Sequence, residues 1–446
     1  MTRAKEPRTE RAATAEQTSS SRFTFRGNLT STRHGWLRLT PAYSVNLVRE
    51  LLDGIDVTRG PVLDPFCGTG TTLLACAERG IDCTTVELNP FLVWLARAKT
   101  ARYDKAAVVA ARELVGRMAS AAKARSGEMF VPEIHRIERW WDRAAIGGLG
   151  RATAVERASD DVPARARDLA KLSLCRALIE TANVSFGHQS MSFKEPGETA
   201  KRARDVADAL ERTFDGMVGA AEQSLPRSKR TVVMGDSRGV DAVIGAGERF
   251  GAVVTSPPYS NRMSYIRELR PYMYWLGFLS ERRDAGELDW QAIGGTWGAA
   301  TSRLGGWRPD EAIRIAFPEL ERIVARISEG EPLLGKYVHR YFEDMTAHAR
   351  GLAKLVAPGG KVHYVVGNSK FYDVMLPAQE IFAAIFDAAG FGECKITELR
   401  KRTSKRELFE YLVEATMPAG AQAASSIPNA ATPRRRSSRR TSVAVP

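Results

Sequence analysis

Apolar positions recur along this chain in two alternating patterns. VLDPF (62–66) is a short apolar run ending in an acid and a proline. TTLLACAERG (71–80) then shows helical spacing up to a glycine stop. CTTVELNP (83–90) is a second strand-like run stopped by Pro90, and FLVWLARAKTARYD (91–104) reads as a further helix. Strand, tight turn, helix and strand make a βαβ unit, which predicts a doubly wound sheet. Strands resume at TVVMGD (231–236), FGAVVTSPPY (250–259) and KVHYVVGN (361–368), and LPAQEIFAAIFDAAGF (376–391) is an amphipathic helix. Between the two halves, AAVVAARELVGRMASAAKAR (106–125) and ARARDLAKLSLCRALIETAN (164–183) predict helices. The intervening GGLGRATAVERASDDVPARA (147–166) reads as a loop because of its glycines and polar residues.

These patterns predict an α/β, doubly wound, Rossmann-like domain with a mostly helical insertion. Residues 1–22 and 418–446 are polar and poor in large apolar groups, so both are expected to be disordered. Residues 23–99 form the first part of the sheet domain, 100–228 the insertion and 229–417 the second part. The insertion is one candidate for contacts to a partner.

Composition narrows the classes. The 446 residues carry 65 Lys+Arg against 52 Asp+Glu, a net charge of +13 that favours an anionic partner. No apolar run is long enough for a membrane helix. The opening MTRAKEPRTERAATAEQ lacks the apolar centre of a secretory leader, so a cytoplasmic location is expected. The five cysteines form no C-x-x-C pair, so neither a disulfide framework nor a metal site is expected.

Two short motifs carry the chemistry. Asp64-Pro65-Phe66-Cys67-Gly68-Thr69-Gly70-Thr71-Thr72 is a glycine turn between a strand and a helix. Its glycines let the backbone approach a ligand closely, and the helix that follows presents free amide donors. Glu87, seventeen positions after Gly70, ends the next strand, where a carboxylate can accept both hydroxyls of a ribose; Asn89 follows it. The third glycine of a dinucleotide fingerprint and the G-K-[ST] of a phosphate loop are both missing. The second motif is Thr255-Ser256-Pro257-Pro258-Tyr259, directly after the apolar strand Ala252–Val254. Its prolines break the hydrogen-bond ladder at a sheet edge. The serine and the carbonyls there offer acceptors for an amino group, and Tyr259 offers a ring for stacking.

In this order the two motifs resemble the amino-group DNA methyltransferases, the N-4/N-6 type that uses S-adenosylmethionine. The resemblance extends over about residues 34–415. It implies that the segment His34–Tyr43, with Thr40 and Tyr43, packs over the methionine end of the cofactor. It implies cofactor contacts from Asp64, Pro65, Phe66, Gly68, Gly70, Thr71, Glu87 and Asn89, and places Asp236 and Ser237 beside the adenine. Ser256, Pro257, Pro258 and Tyr259 would carry the catalysis. Family members with serine at the first position of the tetrapeptide mostly act on cytosine N4, and those with aspartate on adenine N6. Ser256 therefore implies cytosine N4, with adenine N6 as the alternative. An RNA amino-methyltransferase and a non-catalytic DNA binder are the remaining alternatives. The implied partners are DNA, with nucleoid association when it is bound, and a cognate restriction endonuclease. Target recognition falls either to the insertion, including Asn183–Ser190, or to the stretch with Asn261, Arg262, Arg267, Arg270 and Trp275.

Overall fold

The computed structural model describes residues 23–24, 26–37, 42–185, 192–193, 202–245, 247–402 and 407–420. Thr40, His188 and nearly all of both terminal segments lie outside them. Seven strands form the main sheet: β1 Val62–Asp64, β2 Cys83–Glu87, β3 Arg230–Met234, β4 Phe250–Thr255, β5 Val356–Gly367, β6 Gly392–Lys401 and β7 Phe409–Thr416. Their spatial order is β6-β7-β5-β4-β1-β2-β3. β1 pairs in parallel with both β2 and β4, β2 with β3, and β4 with β5. β7 runs antiparallel between β5 and β6.

The chain thus works outward from β1 to β3, returns to the centre at β4, and works outward the other way. Strand order reverses between β1 and β4, where a doubly wound sheet opens a crevice beyond the carboxyl ends of its strands. The fold is the expected doubly wound, Rossmann-like α/β class. β1 and β4 are buried along their whole length, which explains why they read as continuous apolar runs and not as alternating ones.

Between β2 and β3 the chain forms the helices Lys105–Lys123, Arg143–Arg157, Ala164–Glu180 and Ala203–Glu222. The second of these runs through the stretch that reads as a loop. Its glycines serve packing: a Cβ on Gly148 would meet the Ala203 Cα at 3.1 Å, and one on Gly150 the Phe130 carbonyl at 3.2 Å. Tertiary contact overrides the poor helix propensity of glycine here. The β6–β7 hairpin has no clear sequence signal. Its first strand is largely exposed and carries charges at half of its positions. Among the described residues no helix is long and apolar enough to cross a membrane.

Arg33 joins the N-terminal segment to both halves. It is 2 % exposed. Its Nε donates to the Ala220 carbonyl at 2.9 Å, Nη1 to those of Lys99 at 3.2 Å and Ala101, and Nη2 to those of Ala221 and Gln223, each at 2.9 Å. These carbonyls end the helices Pro90–Thr100 and Ala203–Glu222. One guanidinium therefore satisfies acceptors that both helix ends leave open, at the negative ends of their dipoles. On the far side of the bundle, the Arg270 guanidinium stacks between Trp140 at 4.9 Å and Trp297 at 4.8 Å.

Replacing Arg33 by methionine keeps most of the volume but strands these carbonyls, at a cost of about 3 kcal/mol. The expected outcome is a clear fall in thermal midpoint, with proteolysis directed to the joint between the sheet and the helical bundle. An unchanged midpoint in a melting scan would show that the clamp contributes nothing.

Candidate functional site

β1 stops at Asp64, and the glycine turn carries the chain into the helix Thr71–Arg79. Gly70 caps that helix at φ 76°, and a Cβ there would lie 3.2 Å from the Ala96 Cβ. Left-handed backbone and close approach both demand glycine. Asp64 lies beneath the turn, 1 % exposed. Its Oδ1 accepts from the Phe66 amide at 3.1 Å and the Thr255 hydroxyl at 2.6 Å, while Oδ2 is buried without a partner. Burial pushes its carboxyl up to about 6, against the pull of those hydrogen bonds. Lys99 supports the turn from behind, donating to the Thr69 carbonyl at 3.2 Å and the His34 carbonyl at 3.4 Å. Burial lowers its ammonium to about 8. The Thr72 hydroxyl donates to the Val254 carbonyl at 3.1 Å, and Tyr43 hydrogen-bonds the same hydroxyl.

Glu87 ends β2 beside the turn. Its Oε2 accepts from the Gly68 amide at 2.8 Å and its Oε1 from the Asn89 amide at 2.9 Å. Burial raises its carboxyl to about 7 against those two bonds, and the neighbouring Asp64 charge adds to the rise. The Asn89 side chain caps the next helix, accepting from the Phe91 amide at 3.0 Å. Beyond β3, Asp236 accepts from the Arg238 amide and pairs with its guanidinium, at 2.9 Å from Nε to Oδ2. The Ser237 hydroxyl donates to the Pro65 carbonyl. Behind it, His348 bridges the Ser237 carbonyl and the Tyr364 hydroxyl, each at 2.6 Å, and lies 4.8 Å from the Phe66 ring. Burial lowers its imidazole to about 4. The ring is therefore neutral at neutral pH, donating from Nδ1 and accepting at Nε2.

The tetrapeptide leaves β4 on the other side of the crevice. The Ser256 hydroxyl donates to the Val365 carbonyl at 3.0 Å. Its proton is committed, so what it offers elsewhere is a lone pair. The Pro258 carbonyl accepts from the Tyr341 hydroxyl at 2.6 Å. Tyr259 lies against Gly367, where a Cβ would come within 2.9 Å of its ring. The Arg402 guanidinium covers that ring at 5.0 Å, and its hydroxyl donates to Glu410 at 3.3 Å.

One cavity brings most of these groups together. Tyr43, Pro65, Phe66, Gly68, Thr71, Glu87, Asn89, Asp236 and Ser237 border it, and so do Ser256 and Pro258. Asp64, Gly70, Pro257 and Tyr259 do not. Asp64 and Gly70 shape the turn from beneath. Sequence reasoning missed the apolar wall of Leu92, Ile266, Leu269 and Ile293. Ile266 and Leu269 belong to the helix Tyr265–Trp275, whose apolar stripe reads equally well as core. Among the described residues the lining holds three carboxylates, Glu87, Asp236 and Glu268, and no lysine or arginine. Such a cavity repels phosphates and suits a cationic or neutral nucleoside.

No protein-family model matches the chain. The Type II methyltransferase M.BsoBI of Geobacillus stearothermophilus is 21 % identical over 87 % of this chain and 84 % of its own length. M.AvaI of Nostoc sp., another Type II methyltransferase, is 33 % identical over 76 residues, 17 % of this chain and 16 % of its own. The chain is thus similar to Type II methyltransferases. M.MjaII of Methanocaldococcus jannaschii adds a match of 42 % over 43 residues, covering 10 % of this chain and 8 % of its own. Among solved structures, the rRNA methyltransferase aviRa of Streptomyces viridochromogenes covers 89 % of this chain and 97 % of its own, at 13 % identity. Its TM-score of 0.27 carries no functional weight.

Methyltransferase homology implies S-adenosylmethionine as the methyl donor, and the residues present suit it. A Cβ on Gly68 would have no atom closer than 3.8 Å, so the turn presents open backbone. Glu87 is held by two amides and keeps lone pairs for ribose hydroxyls. The apolar wall suits a purine, and a lining of acids without bases suits a sulfonium.

The raised carboxyl of Glu87 fixes a pH dependence. The folded chain holds this proton more tightly than the unfolded one, so stability falls as pH rises from 4.5 through about 7. E87Q removes that contribution. Its melting midpoint should decline less than wild type across this window and exceed it above the window. Parallel profiles in a pH series of melts would refute the assignment.

Proposed function

We propose that this chain is a site-specific DNA methyltransferase that transfers a methyl group from S-adenosylmethionine to the exocyclic N4 of cytosine, as the modification enzyme of a restriction–modification system. The observation that carries the reading is the meeting of the glycine turn, Glu87, Ser256 and Pro258 at one cavity. Homology to Type II methyltransferases supports methyl transfer to DNA. The serine at the head of the tetrapeptide supports cytosine.

An exocyclic amine is a weak nucleophile because its lone pair is delocalised into the ring. Acceptors for its two hydrogens raise electron density on nitrogen as the new bond forms. The Ser256 hydroxyl suits this, since its own proton is held by the Val365 carbonyl. The second acceptor in this reading is the Pro257 carbonyl, next to Ser256 in the chain although outside the cavity lining. Both contacts strengthen as positive charge develops, so they favour the transition state over the bound base. When bound, S-adenosylmethionine would supply the methyl group from its sulfonium and leave as the neutral thioether, with the proton displaced from the amine passing to solvent. Glu87 holds the ribose, and Asp236 and Ser237 border the place of the purine. The base must leave the duplex stack, which costs a few kcal/mol. Tyr259 lies outside the cavity lining with Arg402 over its ring, so its part in this reading is to brace the loop that carries Ser256. The contacts from Gly367, Arg402 and Glu410 hold that ring in position.

The test incubates the full chain with methyl-labelled S-adenosylmethionine and unmethylated heterologous genomic DNA, then identifies the labelled nucleoside by mass spectrometry. N4-methylcytosine is expected. N6-methyladenine would overturn the base, and label in RNA alone would overturn the DNA substrate. S256A should lower turnover by roughly 10²-fold while cofactor affinity stays within about twofold. An equal loss of cofactor affinity would move Ser256 out of the catalytic role.

A further inference from the structure

A second cavity opens on the other side of the segment that follows the tetrapeptide. Its lining is mostly basic where that of the first is acidic. Arg262, Arg267, Lys370 and Arg402 border it, with Glu268 as the one acid among its described lining. Glu268 borders both cavities. Lys370 is paired to Glu407 at 2.7 Å, and Arg402 donates to the Asn368 carbonyl at 3.0 Å. The guanidiniums of Arg262 and Arg267 have no hydrogen-bond or ion-pair partner among the described residues.

The backbone is specifically arranged to present Arg262. Its φ is +61°, a left-handed conformation that a side chain rarely adopts. The Arg262 amide donates to the Tyr337 hydroxyl at 3.0 Å, and the flanking Met263 amide donates to Asn261 Oδ1 at 3.1 Å. Strain held in place by such bonds beside a reactive segment marks a functional position. Arg267 stands in the first turn of the helix Tyr265–Trp275, whose cap Ser264 accepts from the Arg267 amide at 3.0 Å.

We propose that this cavity is an anion site for the phosphodiester backbone of the substrate strand, gripped by Arg262 and Arg267. The inference rests on the reading of the chain as a DNA methyltransferase. A strand that delivers an amine to Ser256 must run its backbone past the residues next in sequence. The acid-lined first cavity repels phosphate, and this one carries free cations for it.

The test titrates a fluorescent mixed-sequence DNA duplex with the full chain over a salt series. R262Q/R267Q should weaken binding at least about tenfold and lower the slope of log affinity against log salt by about 2. R262K/R267K should recover most of that slope. R322Q/R326Q removes the same charge from the exposed face of the helix Leu320–Gly330 and should leave the slope unchanged. Cofactor affinity should be the same in all variants. An unchanged slope in R262Q/R267Q overturns the site, and so does an equal loss in R322Q/R326Q. Inorganic phosphate that displaces the duplex more than chloride at matched ionic strength would reassign the site to a free anion. Methyl transfer by wild type to genomic DNA is read in parallel. Its absence sinks the functional reading, while the slope decides the anion site independently.

Discussion

The hydrogen bond from the Thr255 hydroxyl to the Asp64 carboxylate, 2.6 Å long and wholly buried, ties together the two segments on which the site depends. Asp64 ends β1 and begins the glycine turn. Thr255 ends β4 and begins the tetrapeptide. These strands are neighbours because the sheet reverses its order between them. Sheet pairing brings the two loops to the same edge, and this bond sets their relative position. The Thr72 hydroxyl repeats the link one turn into the helix, through the Val254 carbonyl at 3.1 Å. A buried carboxylate that keeps one oxygen unpaired is costly, and that cost is what raises Asp64 to about 6. The cost is tolerated because alanine here would leave the Phe66 amide and Thr255 hydroxyl unmatched as well.

Around that link the sequence was legible where local chemistry and tertiary structure agree. The runs that became β1, β2, β3 and β4 were readable from apolar composition bounded by Gly and Pro. The helix Thr71–Arg79 was readable to its end, because Gly80 takes the left-handed conformation that closes it. Pro65, Phe66, Gly68 and Thr71 of the glycine turn, Glu87 and Ser256 were nameable from motif and spacing, and Asn89, Asp236 and Ser237 from the family resemblance; all of them border one cavity. Elsewhere local signals and packing disagree. Gly147, Gly148 and Gly150 favour a loop by propensity, yet two of them are the points at which other segments come closest to the helix Arg143–Arg157. The β6–β7 hairpin was hidden because an exposed edge strand shows no apolar alternation. His348 could not be found either. A buried histidine on a helix looks like core until its partners, the Ser237 carbonyl and the Tyr364 hydroxyl, are seen.

The helical bundle between β2 and β3 shares one apolar core with the helices Pro90–Thr100 and Tyr265–Trp275, and two arginines reinforce the joint. Arg33 spends all its donors on the ends of one sheet-domain helix and one bundle helix. Arg270 places its guanidinium between Trp140 of the bundle region and Trp297 near the second half of the sheet domain. Neither contact is an ion pair, so both are less sensitive to salt than surface bridges. That matters under the proposed function, because a chain of net charge +13 would bind a polyanion in a strongly salt-dependent way. The scaffold is held by packing, helix-end carbonyls and π faces, which leaves cations elsewhere free for a partner.

The two cavities show how the segment after β4 separates charges. On one side Glu87, Asp236 and Glu268 line the first cavity, Asp236 being paired with Arg238. On the other side Arg262 and Arg267 have no ion-pair partner among the described residues, with Glu268 the one acid on that lining. Ser256 belongs to the first cavity and Arg262, six residues later, to the second, so one short stretch of backbone separates the two environments. That separation selects how a strand can bind. A nucleotide whose phosphates entered the first cavity would meet three carboxylates. The proposed reading places the base toward Ser256 and the backbone toward Arg262, so that each part of the nucleotide meets the cavity whose charge suits it.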